Sequence, residues 1–230
     1  VIAVNGYEPE NNMIGAVGPL IDNMEVKIAE DGEILTRSAS VMKGYYNKPE
    51  LTAQEIDADG WFHTGDIGEF VQGRFLKITD RKKEMFKTSG GKYIAPQVIE
   101  NKMKEDPLVE QIMVVGANQK FPAALIVPAF DELKIWASKN GVAAKSNTEL
   151  VQDEKVLHFY HELTQQYNKS FAQWEQVKKI VLLPELWTVE SGEMTPTMKV
   201  KRKVITANNQ AVIEDLYERA DKKPHERTAH

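Results

Sequence analysis

The sequence predicts an α+β protein in two parts, β-rich over residues 1–82 and mixed over 83–220. Three observations predict it. From 24 to 38, "MEVKIAEDGEILTRS" alternates apolar and polar residues on either side of Asp31-Gly32, a pair favoured in hairpin turns. "FVQGRFLKI" repeats the strand, turn, strand layout around Gln72-Gly73-Arg74. After "ITDRKKEMFKTSGGKYIAP" the character changes, with a dense charge cluster, then Gly90-Gly91, then Pro96 where a first helical turn would begin. The boundary is placed near Lys82 and Lys83.

In the first part a further turn falls at Asp59-Gly60, and helix signals are scarce apart from "KPELTAQEI". In the second, "QVIENKMKE" predicts a helix stopping before Pro107, and "VEQIMVVGA" and "AALIVPAF" read as two buried strands. A helix from about Asp131 should end at Asn140-Gly141. Val156, Tyr160, Leu163, Tyr167, Phe171, Trp174 and Val177 recur at spacings of three and four, predicting one long helix over 154–178 with a core-facing stripe. "KKIVLLPELW" reads as a strand and "VITANNQAVIEDLYERA" as a last helix, while the tail 221–230, "DKKPHERTAH", is expected to be disordered. The length suffices for a core in one large domain or two smaller ones, and no repeat is apparent.

A formal net charge of −5 argues against a protein that binds nucleic acid over its whole surface. A local basic patch survives that argument. Lys199, Lys201, Arg202 and Lys203 fall within five positions of "MTPTMKVKRKVI", readable as a solvated face, a nucleic-acid handle or one lysine delivered to a reacting anion. The absence of cysteine excludes disulfides, thiolate nucleophiles and cysteine-ligated zinc, and fits a reducing compartment. No apolar run approaches the roughly 20 residues that span a bilayer, and the amino end lacks a signal-peptide layout, so a cytoplasmic protein is the default. The opening "VIAVNG" has no initiator methionine, as expected of a piece cut from a longer chain.

Several short patterns have bland alternatives. "TSGGKY" is not a P-loop, because Phe86 and Tyr93 stand where glycine and serine or threonine are needed. Gly90 and Gly91 still permit close approach by a ligand, or make a simple turn. "DADGWF" has its glycine in the wrong place for a calcium loop. His158 and His161 are one helical turn apart without a third ligand, which favours no metal. In "HTGD", Asp66 could accept hydrogen bonds from two vicinal ribose hydroxyls; Arg81 suits hydroxyl or phosphate oxygens, with an Asp80–Arg81 surface cluster the cheaper explanation. Lys82 and Lys83 are solvated by default.

Together, "GEILTRSASVMKGYYNKPELTAQEIDADGWFHTGDIGEF", "ITDRKKEMFKTSGGKYIAPQVIE" and "MTPTMKVKRKVI" stand in the order and spacing of the adenylate-forming acyl-CoA synthetases. The chain resembles their long-chain fatty acid branch, above all in "TSGGKYIAPQVIE" and "TPTMKVKRK", and the resemblance covers nearly its whole length. It implies that 1–82 is the β-rich carboxy-terminal portion of a large adenylating domain, incomplete here, and that 83–220 is a small mobile lid with a central sheet and flanking helices. The implied activity joins a fatty acid to ATP as an acyl-adenylate and then passes the acyl group to coenzyme A.

By the same resemblance Asp66 holds the ribose hydroxyls, Arg81 contacts the ribose, and Lys83 falls at the hinge. Lys87 and Gly91 belong to the thioester step, with Gly91 leaving room for the pantetheine arm, and Lys199 reaches the acid carboxylate and the α-phosphate. Lys201, Arg202 and Lys203 either steer phosphates or solvate the start of the last helix, solvation being favoured for most. Met198 stands where many relatives carry glycine. The parent enzyme would need ATP, Mg2+ and coenzyme A; its phosphate loop, adenine segment, metal ligands and acyl tunnel would lie upstream, so this chain alone is expected to be inactive. Expected partners are the fatty acid, ATP or AMP, coenzyme A and the remainder of its own large domain, with no nucleic acid and with peripheral membrane association admitted. The rival reading is a non-catalytic binding module that keeps the lid fold.

Overall fold

The computed structural model describes residues 1–143 and 146–221. The chain divides into two compact units, Val1–Met85 and a second from Phe86 onward.

The first unit is built on an antiparallel sheet of β1 (Gly18–Pro19), β2 (Glu25–Ile28), β3 (Glu33–Arg37), β4 (Phe62–Val71) and β5 (Phe75–Arg81), in the order β1-β5-β4-β3-β2. The hairpin expected around Asp31-Gly32 forms, with Ile28 opposite Ile34 and Glu25 opposite Arg37. Its connection is longer than a two-residue turn, because 29–32 all lie between the strands. Helix α1 (Pro49–Glu55) is the expected "KPELTAQEI" segment, with proline in its first turn. Ala3, Ile34 and Leu76 centre the core, and Val17, Leu20, Val26 and Phe70 pack around them.

The second unit opens with a hairpin of β6 (Phe86–Lys87) and β7 (Tyr93–Ile94), followed by α2 (Pro96–Met103), β8 (Val109–Val115) and β9 (Ala123–Pro128). Then come α3 (Phe130–Lys139), α4 (Asn147–Leu150), α5 (Glu154–Asn168), β10 (Lys179–Leu182), α6 (Arg202–Asn208) and α7 (Gln210–Asp221). The sheet runs β10-β9-β8, antiparallel between β8 and β9 and parallel between β9 and β10. Side chains alternate across it. Ile112, Val114, Ala124 and Ile126 meet Ile99, Met103, Leu133 and Tyr160 on one face, while Met113, Leu125 and Val127 meet Trp187, Met194 and Ile205 on the other. Burial on both faces is why "AALIVP" is apolar throughout.

Two expectations about helices are corrected. The long helix stops at Asn168, so Phe171, Trp174 and Val177 lie beyond it. The Asn168 side chain donates to the Val177 carbonyl (2.8 Å) and accepts the Val177 amide (2.9 Å), closing a loop where the apolar spacing suggested that the helix continued. The last helix is two helices, α6 and α7, broken at Asn209, whose side chain donates to the Ile205 carbonyl at 2.9 Å. The tail expected over 221–230 lies outside the described residues except for 221, which ends α7. Among the described residues no helix is long and apolar enough to cross a membrane.

Candidate functional site

In the first unit a bulge presents Asp66. The register of β3 against β4 shifts between Leu35↔His63 and Glu33↔Ile67, leaving Thr64, Gly65 and Asp66 opposite Ile34 alone. The Thr64 hydroxyl donates to the Ile34 carbonyl (2.7 Å) and accepts the Asp66 amide (3.1 Å). Gly65, at φ +70°, supplies the left-handed residue between them. A bulge re-aims a side chain, and here Asp66 is met across the strands by Arg81, whose Nε donates to Oδ1 at 2.7 Å. The guanidinium is 61% exposed and the carboxylate 22%, so an acceptor and a planar donor fork stand together at the sheet end. The surface-cluster reading of Asp80 and Arg81 is corrected: Asp80 is buried and takes the Arg81 amide at 2.6 Å, while the Arg81 side chain crosses to Asp66.

Behind the bulge lies a network that sequence reasoning missed. Glu33, 3% exposed, accepts from the Gly65 amide (2.9 Å), His63 Nδ1 (2.9 Å) and Lys82 Nζ (2.8 Å), and Lys82 also reaches Asp31 Oδ2 (2.7 Å). Burial by itself would raise the Glu33 carboxyl; Lys82, His63 and the Gly65 amide outweigh it and hold the group below the ordinary glutamate range. Lys82 is therefore not a merely solvated lysine. Lys83, by contrast, is exposed in the turn that follows β5.

In the second unit Lys87 ends β6 and Gly91 sits in the loop to β7. Gly91 adopts φ +81°, and a Cβ there would meet nothing nearer than Lys87 Cε at 3.8 Å. The loop is strapped rather than loose: the Lys87 carbonyl accepts the Asn118 amide (2.8 Å), and the Ser89 amide donates to the Gln119 carbonyl (2.9 Å). Lys87 Nζ lies over the Tyr93 ring, 5.3 Å from its centroid.

Lys199 lies on a separate small hairpin. Met194 pairs with Val200, the Thr195 amide donates to the Lys199 carbonyl (2.8 Å), and the Thr195 hydroxyl accepts the Lys199 amide (3.0 Å). Met198 holds φ +59°, the backbone region that glycine takes without strain, which accounts physically for glycine at this place in the resembled family. The Lys199 side chain is exposed. Arg202 departs from the solvation favoured for most of its neighbours: its guanidinium is 19% exposed and ion-paired with Glu100, itself 8% exposed. Burial pushes the Glu100 carboxyl up to about 7 against the pull of Arg202 and the Val114 amide. A signal for Glu100 was available, since Pro96, Ile99, Glu100 and Met103 form one buried helix face and a carboxylate there demands a partner. Among the described residues no three metal-ligating side chains cluster to hold a metal ion.

A family model described as AMP-binding enzyme C-terminal domain matches residues 84–221. The chain is 39% identical over 210 residues to putative fatty-acid–CoA ligase fadD11 of Mycobacterium tuberculosis, covering 91% of this chain and 37% of that one. It is 39% identical over 201 residues to long-chain-fatty-acid–CoA ligase 1 of Homo sapiens, covering 86% and 29%, and so spans roughly a third of the length of these relatives. In fold it is similar to the A domain of carboxylic acid reductase from Segniliparus rugosus, solved in complex with AMP and a co-purified carboxylic acid, with a TM-score of 0.69 and 21% identity over 91% of this chain and 35% of that one. The chain belongs to the family of AMP-binding enzymes, whose C-terminal domain occupies its residues 84–221.

Proposed function

We propose that the chain is the carboxy-terminal part of a long-chain fatty acid–CoA ligase, with 1–82 ending the large domain and 83–220 forming its lid. The observation that carries this reading is the 39% identity over 210 residues to a relative named as a fatty-acid–CoA ligase. In the reaction a carboxylate oxygen of the acid attacks the α-phosphorus of ATP, the bond to pyrophosphate breaks, and acyl-adenylate forms. The sulfur of coenzyme A then attacks the acyl carbonyl, AMP leaves, and the thiol proton passes to solvent. ATP, Mg2+ and coenzyme A are the required co-reactants, and the isolated chain completes neither step.

Asp66 accepts from the ribose hydroxyls while Arg81, already paired to it, supplies donors to the same sugar; the bulge and its fixed hydrogen bonds favour such preorganisation. Lys83 is the hinge position. Lys199 brings its ammonium between the carboxylate and the α-phosphate, where it relieves repulsion between two anions and stabilises developing phosphate charge. Its place on an exposed hairpin supports delivery into a cavity. Lys87 and Gly91 serve the second step, and the open space over Gly91 supports passage of a narrow arm.

In the full-length protein, Lys199→Ala should slow acyl-adenylate formation by about 10² or more, measured by ATP–pyrophosphate exchange with a long-chain acid, and leave thioester formation from supplied adenylate intact. Equal loss in both steps would remove that division of labour. An absence of exchange in the unmodified full-length protein would favour the binding-module reading. Gly91→Leu should impair the second step more than Gly91→Ala does, since both carry the same backbone strain and only leucine fills the space; equal effects would remove Gly91 from the path.

A further inference from the structure

Of the four cations crowded between 199 and 203, Arg202 alone is withdrawn from water, and its partners are specific. Val114 lies in β8, the edge strand of the second sheet, and both its main-chain groups are taken by side chains. Its amide donates to Glu100 Oε1 at 2.6 Å, and its carbonyl accepts from Arg202 Nη1 at 3.1 Å. Arg202 Nη2 closes the triangle on the same Glu100 oxygen. The two side chains thus stand in for a neighbouring strand at one residue of an open edge.

That triangle is joined to the Lys199 hairpin through the chain itself, where the Lys201 amide donates to the Glu193 carbonyl at 2.7 Å. Arg202 begins α6, and Lys199 is three residues before it. On the other side, Gln111 of the same strand accepts the Trp187 amide (2.7 Å) and donates to the Trp187 carbonyl (2.9 Å). Buried Met194 and Ile205 pack in one cluster with Trp187 and Met113. The hairpin therefore has a rigid root and a free tip. A lysine side chain has four rotatable bonds, so its ammonium can be aimed only if its backbone is fixed.

We propose that Glu100 and Arg202 are positioning residues for Lys199, a buried clamp that fixes the root of its hairpin to β8 and α2 during acyl-adenylate formation, a role that rests on the assignment of Lys199 to that step. Arg202 is then not a phosphate-steering cation. It acts through Lys199 and has no contact with ATP.

The test is a mutant cycle in the full-length ligase. Arg202→Met should lower kcat for acyl-adenylate formation about tenfold, within the range that misplacement of a reacting group costs, with KM for ATP and coenzyme A transfer from supplied adenylate unchanged. Combined with Lys199→Ala it should add no further loss, because its effect passes through the missing ammonium. Glu100→Gln, which keeps an acceptor for the Val114 amide, should lose less. Should Arg202→Met fail to fold, Arg202→Lys carries the same cycle, since it keeps the charge but cannot serve Glu100 and Val114 together. Additive losses, or a raised KM for ATP with kcat intact, overturn the clamp. A null effect of Lys199→Ala overturns instead the assignment on which the clamp rests.

Discussion

Each unit buries a glutamate with a cation set against it, Glu33 in the first and Glu100 in the second, yet the two carboxyls are driven in opposite directions. Burial raises both. Glu33 has its donors spread over two oxygens, the Gly65 amide on Oε1 and His63 and Lys82 on Oε2, and falls below the ordinary range. The Val114 amide and Arg202 meet Glu100 at one oxygen, and the group rises to about 7. A buried carboxylate keeps its charge when several donors replace the lost water, and gives it up when they are too few. The first arrangement adjoins a bulge that carries Asp66; the second holds Arg202, three residues after Lys199.

Removing the cations tests this comparison hardest. Arg202→Ala should cost about 3 kcal/mol at pH 8, where the buried Glu100 must either keep a charge with no cation facing it or take up a proton, and less at pH 5, where Glu100 is already protonated. Lys82→Ala should cost under about 1 kcal/mol, because its side chain is 45% exposed. Denaturant unfolding reads both, with Trp136, Trp174 and Trp187 reporting on the second unit and Trp61 on the first. Equal losses would break the comparison.

A pH series sharpens it. The Glu100 carboxyl is raised, so the folded state holds a proton that the unfolded chain releases; its contribution is complete below about 4.5 and is lost as pH rises through about 7. Relative to Glu100→Gln, the unmodified protein should therefore lose on the order of 2 kcal/mol between pH 5 and pH 8. Glu33 has the opposite sign, with a contribution present above 4.5 and lost as pH falls through its lowered value. Melting differences flat in pH would contradict both assignments. The smallest effect is expected at Met198→Gly, which relieves at most about 1 kcal/mol of left-handed strain against the added freedom of glycine in the unfolded chain; a clear fall in Tm would show that the methionine side chain anchors the loop.

The strands were legible because their period of two survives folding, as "MEVKIAEDGEILTRS" and "FVQGRFLKI" attest. The helix over 154–178 was overread because apolar spacing reports which side chains face the core and not whether the backbone between them stays helical; Asn168 ends it by binding both main-chain groups of Val177. Asp66, Lys87, Gly91 and Lys199 stood out through their family pattern, since a bulge and two hairpin tips leave little periodic trace. Glu33 was missed because its donors come from 63, 65 and 82, and no local pattern announces a contact at such separation.

The parallel pairing of β9 with β10 orders the birth of the second unit. Strands β8 and β9 can zip together soon after they leave a ribosome, but β10 has no place until 129–178 have been synthesised and folded across the sheet. Trp187, Met194 and Ile205 arrive later still. A translation product truncated before β10 would leave Met113, Leu125 and Val127 uncovered on one face of the sheet, exposed to aggregation, and would lack Lys199 altogether.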